Sequence, residues 1–260
     1  MRLLYVIWTL LNIGFTANGV GLEIYPYSVI GKIPLPKDSF TQGLVVDGDT
    51  LWLGTGKYGK SKIYQLDLKS GKVLKSKNLN SNFFGEGVTQ WGDQLIQLTW
   101  KSGLALVYDK SSLRIVDYFS LPGEGWGITS FGDNHYISSG LHTIDVFDAK
   151  TRKKTRSVEV KHDGIPIGNL NELEFINGFI FSNIWTSDVV ISISPESGQV
   201  VGHLDFKKIV EMEKSSNPDA GVLNGIAWNP REKNLLITGK NFSWIYRISV
   251  GSGPLSKSKK

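Results

Sequence analysis

Residues 40–56 read FTQGLVVDGDTLWLGTG, and the architecture turns on what this stretch is. A short apolar run leads into Asp47-Gly48-Asp49, and a second apolar run follows. Asp and Gly tolerate the positive φ that a tight turn between two strands demands, so the stretch reads as a β-hairpin. The pattern returns four times: FGEGVTQWGDQLIQLTW from Phe84, EGWGITSFGDNHYISSG from Glu124, LNELEFINGFIFSNIW from Leu170 and LNGIAWNPREKNLLITGK from Leu223. The later turns are Gly92-Asp93, Gly132-Asp133-Asn134, Asn177-Gly178 and Asn229-Pro230. Anchored on Gly43, Gly87, Gly127, Glu172 and Gly225, the repeats are spaced 44, 40, 45 and 53 residues apart.

After each of the first four hairpins comes a second, as in KIYQLDLKSGKVLKS (62–76) and VVISISPESGQVVGHLDF (189–206). Four strands per unit of this length is the signature of a propeller blade, so the expected fold is an all-β, five-bladed β-propeller. The last unit stops near Ile248 without a final strand, while YSVIGKIPL (27–35) precedes the first unit without a partner. That N-terminal strand is expected to close the last blade, which removes an exposed sheet edge. The long fourth interval contains DFKKIVEMEK, where Phe206, Ile209 and Val210 have helical spacing and predict a short surface helix.

Composition agrees with an all-β globular chain. There are 29 glycines, 11% aromatic residues and 20% charged residues. The net charge of +5 owes much to the basic end SKSKK, and no basic stripe interleaves with aromatics, which argues against a nucleic-acid partner. Arg2 is followed by a largely apolar run over 3–15 and then by the small residues Ala17 and Gly19. This is the pattern of a secretory signal, and the run is too short to span a bilayer comfortably. The chain therefore divides into a signal peptide (1–19), a propeller (20–250) and a basic flexible tail (251–260). An exported monomer is expected, periplasmic, extracellular or in a secretory pathway, with no membrane association after cleavage. With no cysteine in 260 residues, disulfides are excluded.

In a propeller the innermost strands line one axis, so equivalent residues near their starts converge at one mouth. The residue before each anchor is Gln42, Glu86, Trp126, Asn171 and Asn224. A structural repeat would place similar side chains there; this set is three amides, an acid and an indole. Trp100, Trp185 and Lys240, near the ends of the second strands, join the candidates. From the repeat alone, Glu86 is either a site acid or a carboxylate that pairs with a nearby lysine or caps backbone amides.

Several motifs are decoys. GTGKYGKS (54–61) has the form of a phosphate-binding loop, but an alternating strand follows where such a loop needs a helix. Asn241-Phe242-Ser243 is a glycosylation sequon next to Lys240. The four histidines, His135, His142, His162 and His203, lack metal-ligand spacing, and there is no GxSxG.

Taken in order, FTQGL, FGEGVT, QLTW, GEGWGIT, LNELE, NIWTSD, LNGIA and TGK resemble the plant and bacterial type of glutaminyl cyclase (glutamine cyclotransferase), over about residues 38–248. The resemblance implies a five-bladed propeller that needs no metal or other cofactor. It implies conversion of the N-terminal glutamine of peptides or proteins to pyroglutamate, with release of ammonia. It further implies Glu86 as the catalytic acid, with Phe40, Gln42, Phe84, Trp100, Trp126, Asn171, Trp185 and Lys240 at the substrate site; Asn224 comes from the repeat alone. Three departures stand out: LPKDS before FTQG, SSGL at 138–141 where an Asp is usual, and Asn241-Phe242-Ser243-Trp244 after TGK. One carboxyl can take the amine proton and return it to the leaving ammonia, and an apolar surround raising its pKa suits that return. Lys240 or Asn171 would stabilise the oxyanion. Two rival readings are a non-catalytic propeller holding a peptide or sugar at its mouth, and a calcium-dependent hydrolase of propeller fold.

Overall fold

The computed structural model describes residues 22–251 and 253–255; the expected signal peptide at 1–19 lies outside the described residues. Five antiparallel four-stranded units are arranged as blades, and the fourth gains a short fifth strand. Their inner strands are Thr41–Asp47, Gly85–Trp91, Ile128–Phe131, Leu170–Ile176 and Leu223–Asn229. Each inner strand touches the next, and the fifth touches the first, which closes the ring.

The core is divided by the seams between blades. Val45, Trp52 and Ile63 of blade 1 pack on Val88, Leu95 and Tyr108 of blade 2. Ile96, Leu98 and Phe119 meet Ile128, Ile137 and Phe147 at the next seam, and the remaining three seams have clusters of their own. Each sheet is therefore covered on both faces, which explains why inner strands such as TQGLVV are buried almost throughout rather than alternately. The hairpin turns put Gly48, Gly92, Gly132, Asn177 and Gly178 at positive φ, as their residue types require; in the fifth turn the left-handed position falls on Lys233.

Closure follows the expectation from sequence. Tyr27–Pro34 lies antiparallel to Trp244–Val250 and completes blade 5. Upstream of it, Glu23–Ile24 pairs in parallel with the outer strand Val200–Asp205 of blade 4, so the N-terminal segment spans two blades. The helix, Lys207–Ser216, is more deeply engaged than a surface helix. It buries Ile209 and Val210, and Glu213 accepts hydrogen bonds from the Tyr246 hydroxyl (3.0 Å) and the Ser243 amide (3.1 Å). Within the stretch read as a flexible tail, Gly253–Leu255 forms a 3-10 turn whose Pro254 and Leu255 are buried.

Candidate active site at the mouth of the propeller

The register of the inner strands explains how the mouth is built. Pairing between first and second strands slips between Thr41 and Gly43, Gly85 and Val88, Leu170 and Leu173, and Leu223 and Ile226. Each slip is a β-bulge, and it falls on Gln42, Glu86, Asn171 and Asn224. A bulge re-aims a side chain without ending the strand. Trp126 lies just ahead of the blade 3 strand. The neighbouring glycines allow the strands to crowd: a Cβ on Gly43 would lie 2.2 Å from the Val88 nitrogen, and one on Gly127 2.0 Å from the Asn171 carbonyl oxygen.

Glu86 is 5% exposed. Its Oε1 accepts a hydrogen bond from Gln42 Nε2 at 2.9 Å, and no hydrogen bond among the described residues reaches its Oε2. Burial pushes the Glu86 carboxyl well above the ordinary glutamate value; the Lys240 charge opposes this and the nearby Glu124 adds to it. Burial also lowers the Lys240 ammonium, against the pull of Glu86. Lys240 reaches the mouth from blade 5, where it bridges to Phe40 and places Nζ 4.9 Å from that ring.

Aromatic side chains wall the space. Phe84 makes edge contacts with Phe40 (6.2 Å), Tyr58 (5.4 Å) and Trp100 (5.4 Å), and Trp126 meets Trp185 edge-on at 5.5 Å. Trp185 is 40% exposed and forms the outer rim. Asn171 is buried, its Oδ1 has no partner, and its Nδ2 donates to no group among the described residues.

All ten residues expected from sequence are thus near the mouth or support it, with one change of role. Asn224 is fully buried and turns inward: Nδ2 donates to Gln42 Oε1 (3.0 Å) and to the Thr41 carbonyl (3.1 Å). It orients the Gln42 amide so that the NH₂ end faces Glu86, while its own Oδ1 has no partner among the described residues. Sequence reasoning missed Glu124, whose Oε2 accepts hydrogen bonds from both Trp100 Nε1 (2.7 Å) and Trp126 Nε1 (2.9 Å). It also missed Lys57, with Nζ 4.8 Å from the Phe40 ring, and Tyr58. Both lie in GTGKYGKS, where a strand rather than a helix follows. Of the departures from the family pattern, Gly140 in SSGL still supports the Trp126 ring, and Phe242 turns into the core instead of the mouth.

A second buried carboxylate lies one residue beyond the ring. Glu172 stands where the four other blades have their anchor glycine. It accepts the Leu44 amide (3.2 Å) on Oε1 and the Ile226 amide (2.9 Å) on Oε2, joining blade 4 to blades 1 and 5. Glu174 follows the same side and accepts the Trp228 amide at 2.9 Å. Burial raises both, Glu174 to about 8.

Among the described residues no cluster of His, Asp and Glu has the arrangement of a metal site. No helix among them is long and apolar enough to cross a membrane. A cleft of about 450 Å³ at the turn end of the propeller is lined by Gly48, Asp49, Arg231 and Glu232. Two of its charge pairs are Arg231 with Asp49 and Arg247 with Glu232, and it is also lined by Asp67 and Lys69.

The model of the glutamine cyclotransferase family matches residues 6–250. The chain is 36% identical to glutaminyl-peptide cyclotransferase of Arabidopsis thaliana over 231 residues, which covers 88% of this chain and 72% of that one. Its fold is similar to the crystal structure of Myxococcus xanthus glutaminyl cyclase, with a TM-score of 0.81, 30% identity, and coverage of 87% of this chain and 97% of the other. The β-propeller domain of Cps50 (Swd1) from Myceliophteria thermophila is similar in fold alone, with a TM-score of 0.52 and 11% identity over 87% of this chain and all of that one.

Proposed function

This chain belongs to the glutamine cyclotransferase family, and from that premise we propose that it is a glutaminyl-peptide cyclotransferase whose Glu86 moves the proton. The substrates are peptides or proteins that begin with glutamine. The α-amine attacks the γ-amide carbon, a new C–N bond closes the five-membered ring, and the old C–N bond breaks to release ammonia.

The observation that carries the role of Glu86 is its half-used carboxylate: one oxygen is fixed by Gln42, and the other has no hydrogen bond among the described residues, at a mouth walled by aromatic side chains. The free Oε2 takes the proton that the attacking nitrogen sheds and gives it to the departing nitrogen. A carboxyl held well above its ordinary value retains that proton long enough to return it. Asn171, with its Nδ2 unengaged, and the Lys240 ammonium supply stabilisation for the oxyanion of the tetrahedral intermediate. Trp100, Trp126 and Trp185 shield the folded glutamine side chain from water, so that amine and carbonyl meet in a reactive geometry. The chemistry needs no step through a metal.

A coupled ammonia assay on a Gln-initiated peptide tests the function, and Glu86→Gln tests the mechanism. A folded Glu86→Gln protein with near-normal ammonia release would overturn the role of Glu86. Binding of the peptide by the unmodified protein without ammonia release would make the propeller a binder. We extend the reading to export from the pattern over 1–19; the N-terminal mass of the secreted protein should place the cut after Gly19.

A further inference from the structure

We infer that Glu124 is a positioning residue for this reaction, a clasp that uses one carboxylate oxygen to hold the indoles of Trp100 and Trp126 in a single wall. The inference rests on the cyclase reading of the mouth.

The geometry is specific. Trp100 follows the second strand of blade 2, and Trp126 leads into blade 3, so the two indoles belong to different sheets. Each directs its Nε1–H to the same atom, Glu124 Oε2, at 2.7 and 2.9 Å. Charge-assisted hydrogen bonds of this length are about twice as strong as neutral ones. On one side of the clasp, Tyr58, Phe84 and Trp100 are joined by edge contacts; on the other, Trp126 meets Trp185. Glu124 links these two groups into one surface running from blade 1 to blade 4. Without it, neither indole N–H has a hydrogen-bond acceptor among the described residues, and the one cation over these rings, Lys101 Nζ at 4.1 Å from Trp100, does not tie Trp100 to Trp126.

The backbone does not depend on the clasp. The Gly125 amide donates to the Trp100 carbonyl (3.1 Å), the Trp126 amide donates to the Ser138 carbonyl (2.9 Å), and Gly140 packs beneath the Trp126 ring. Loss of the carboxylate should therefore release the rings while the blades stay paired. Glu124 has a second effect through its charge. Glu86 faces the Lys240 charge from blade 5, the Glu124 charge from the approach to blade 3, and the neutral Gln42 amide from blade 1.

Two substitutions separate the effects. Glu124→Gln keeps an oxygen able to accept both indole bonds and removes the charge; Glu124→Ala removes both. On a Gln-initiated peptide, Glu124→Ala should lose about 10²-fold in kcat/KM, the scale of a misplaced reacting group, with the blades still folded by far-UV circular dichroism and a shifted tryptophan emission. Glu124→Gln should stay within a few-fold of the unmodified protein, with unshifted emission and the acid limb of its pH profile moved to lower pH. The inference is overturned if Glu124→Ala retains full activity, or if Glu124→Gln falls as far as Glu124→Ala. Should the unmodified protein release no ammonia, the cyclase reading fails; the emission comparison still decides the clasp, which is refuted if Glu124→Ala leaves the spectrum unchanged.

Discussion

Glu86 and Glu172 are both buried on the axis of the propeller, and in both burial raises the carboxyl. They differ in what their oxygens do. Glu172 spends both on backbone amides of two other blades, Leu44 and Ile226. Glu86 spends one on Gln42 and leaves the other open. Burial alone thus does not make a carboxylate a candidate for proton transfer; the oxygen left without a hydrogen bond is what sets Glu86 apart. The origin lies in one residue of register. Glu86 sits in the bulge before an anchor glycine, whereas Glu172 occupies an anchor position itself.

The largest expected effect falls on activity. Glu86→Gln should reduce ammonia release by roughly 10² to 10⁴-fold, the usual worth of a general acid–base group, and leave the melting temperature unchanged. The contrast breaks if Glu172→Ala does the same. That substitution should instead lower stability, because each orphaned buried N–H costs about 1–3 kcal/mol, and this appears as a reduced urea midpoint. The protein that remains folded should keep its kcat.

Asn224→Ala should have a smaller effect. It leaves Glu86 in place but frees the Gln42 amide to rotate. Of the two hydrogen bonds it loses, the one to Gln42 bears on the site, and about 1 kcal/mol corresponds to roughly a fivefold fall in kcat/KM. A larger rise in KM, with kcat unchanged, would assign Asn224 a substrate-binding role.

The smallest effect concerns pH and stability. Folded Glu174 holds its proton up to about 8, while an ordinary glutamate releases it near 4.5. Between these values the folded chain binds more protons than the unfolded chain. The stability contributed by this group is therefore full below pH 4.5 and is lost as the pH rises through about 8. Glu174→Gln should flatten the fall of melting temperature across that window; an unchanged slope in calorimetry would remove Glu174 from the explanation.

Much of this was legible in the sequence because it is local. Turn residues such as Asp47-Gly48 and Asn177-Gly178 announce hairpins, and their spacing gives the number of blades. The ring was legible because the repeat aligns Gln42, Glu86, Trp126, Asn171 and Asn224. The bulges that aim four of these were not, since a bulge is a relation between two strands and exists only once both are paired. Glu124 stands in the quoted motif GEGWG, yet one of its partners is Trp100 on another blade, so its side-chain role depends on tertiary placement. Tyr58 was hidden for the same reason: it lies in the loop GTGKYGKS of blade 1, and its contact with Phe84 of blade 2 exists only once the two blades are packed. Asn224 was found by position, but only the bond to Gln42 shows which way it points.

The strand that seals blade 5 has a further consequence for how the molecule becomes active. Tyr27 pairs with Val250, so the ring cannot close until almost the whole chain has been synthesised. Such distant pairing is slow to form, because its loop-closure entropy is lost before the contact rewards it. Phe40 and Lys240 bridge blades 1 and 5 at this same junction. A partly folded molecule can hold Glu86 in blade 2 and still lack the opposing wall of the mouth. Completion of the fold and assembly of the mouth are then a single event, and a chain whose ring is still open holds no complete site.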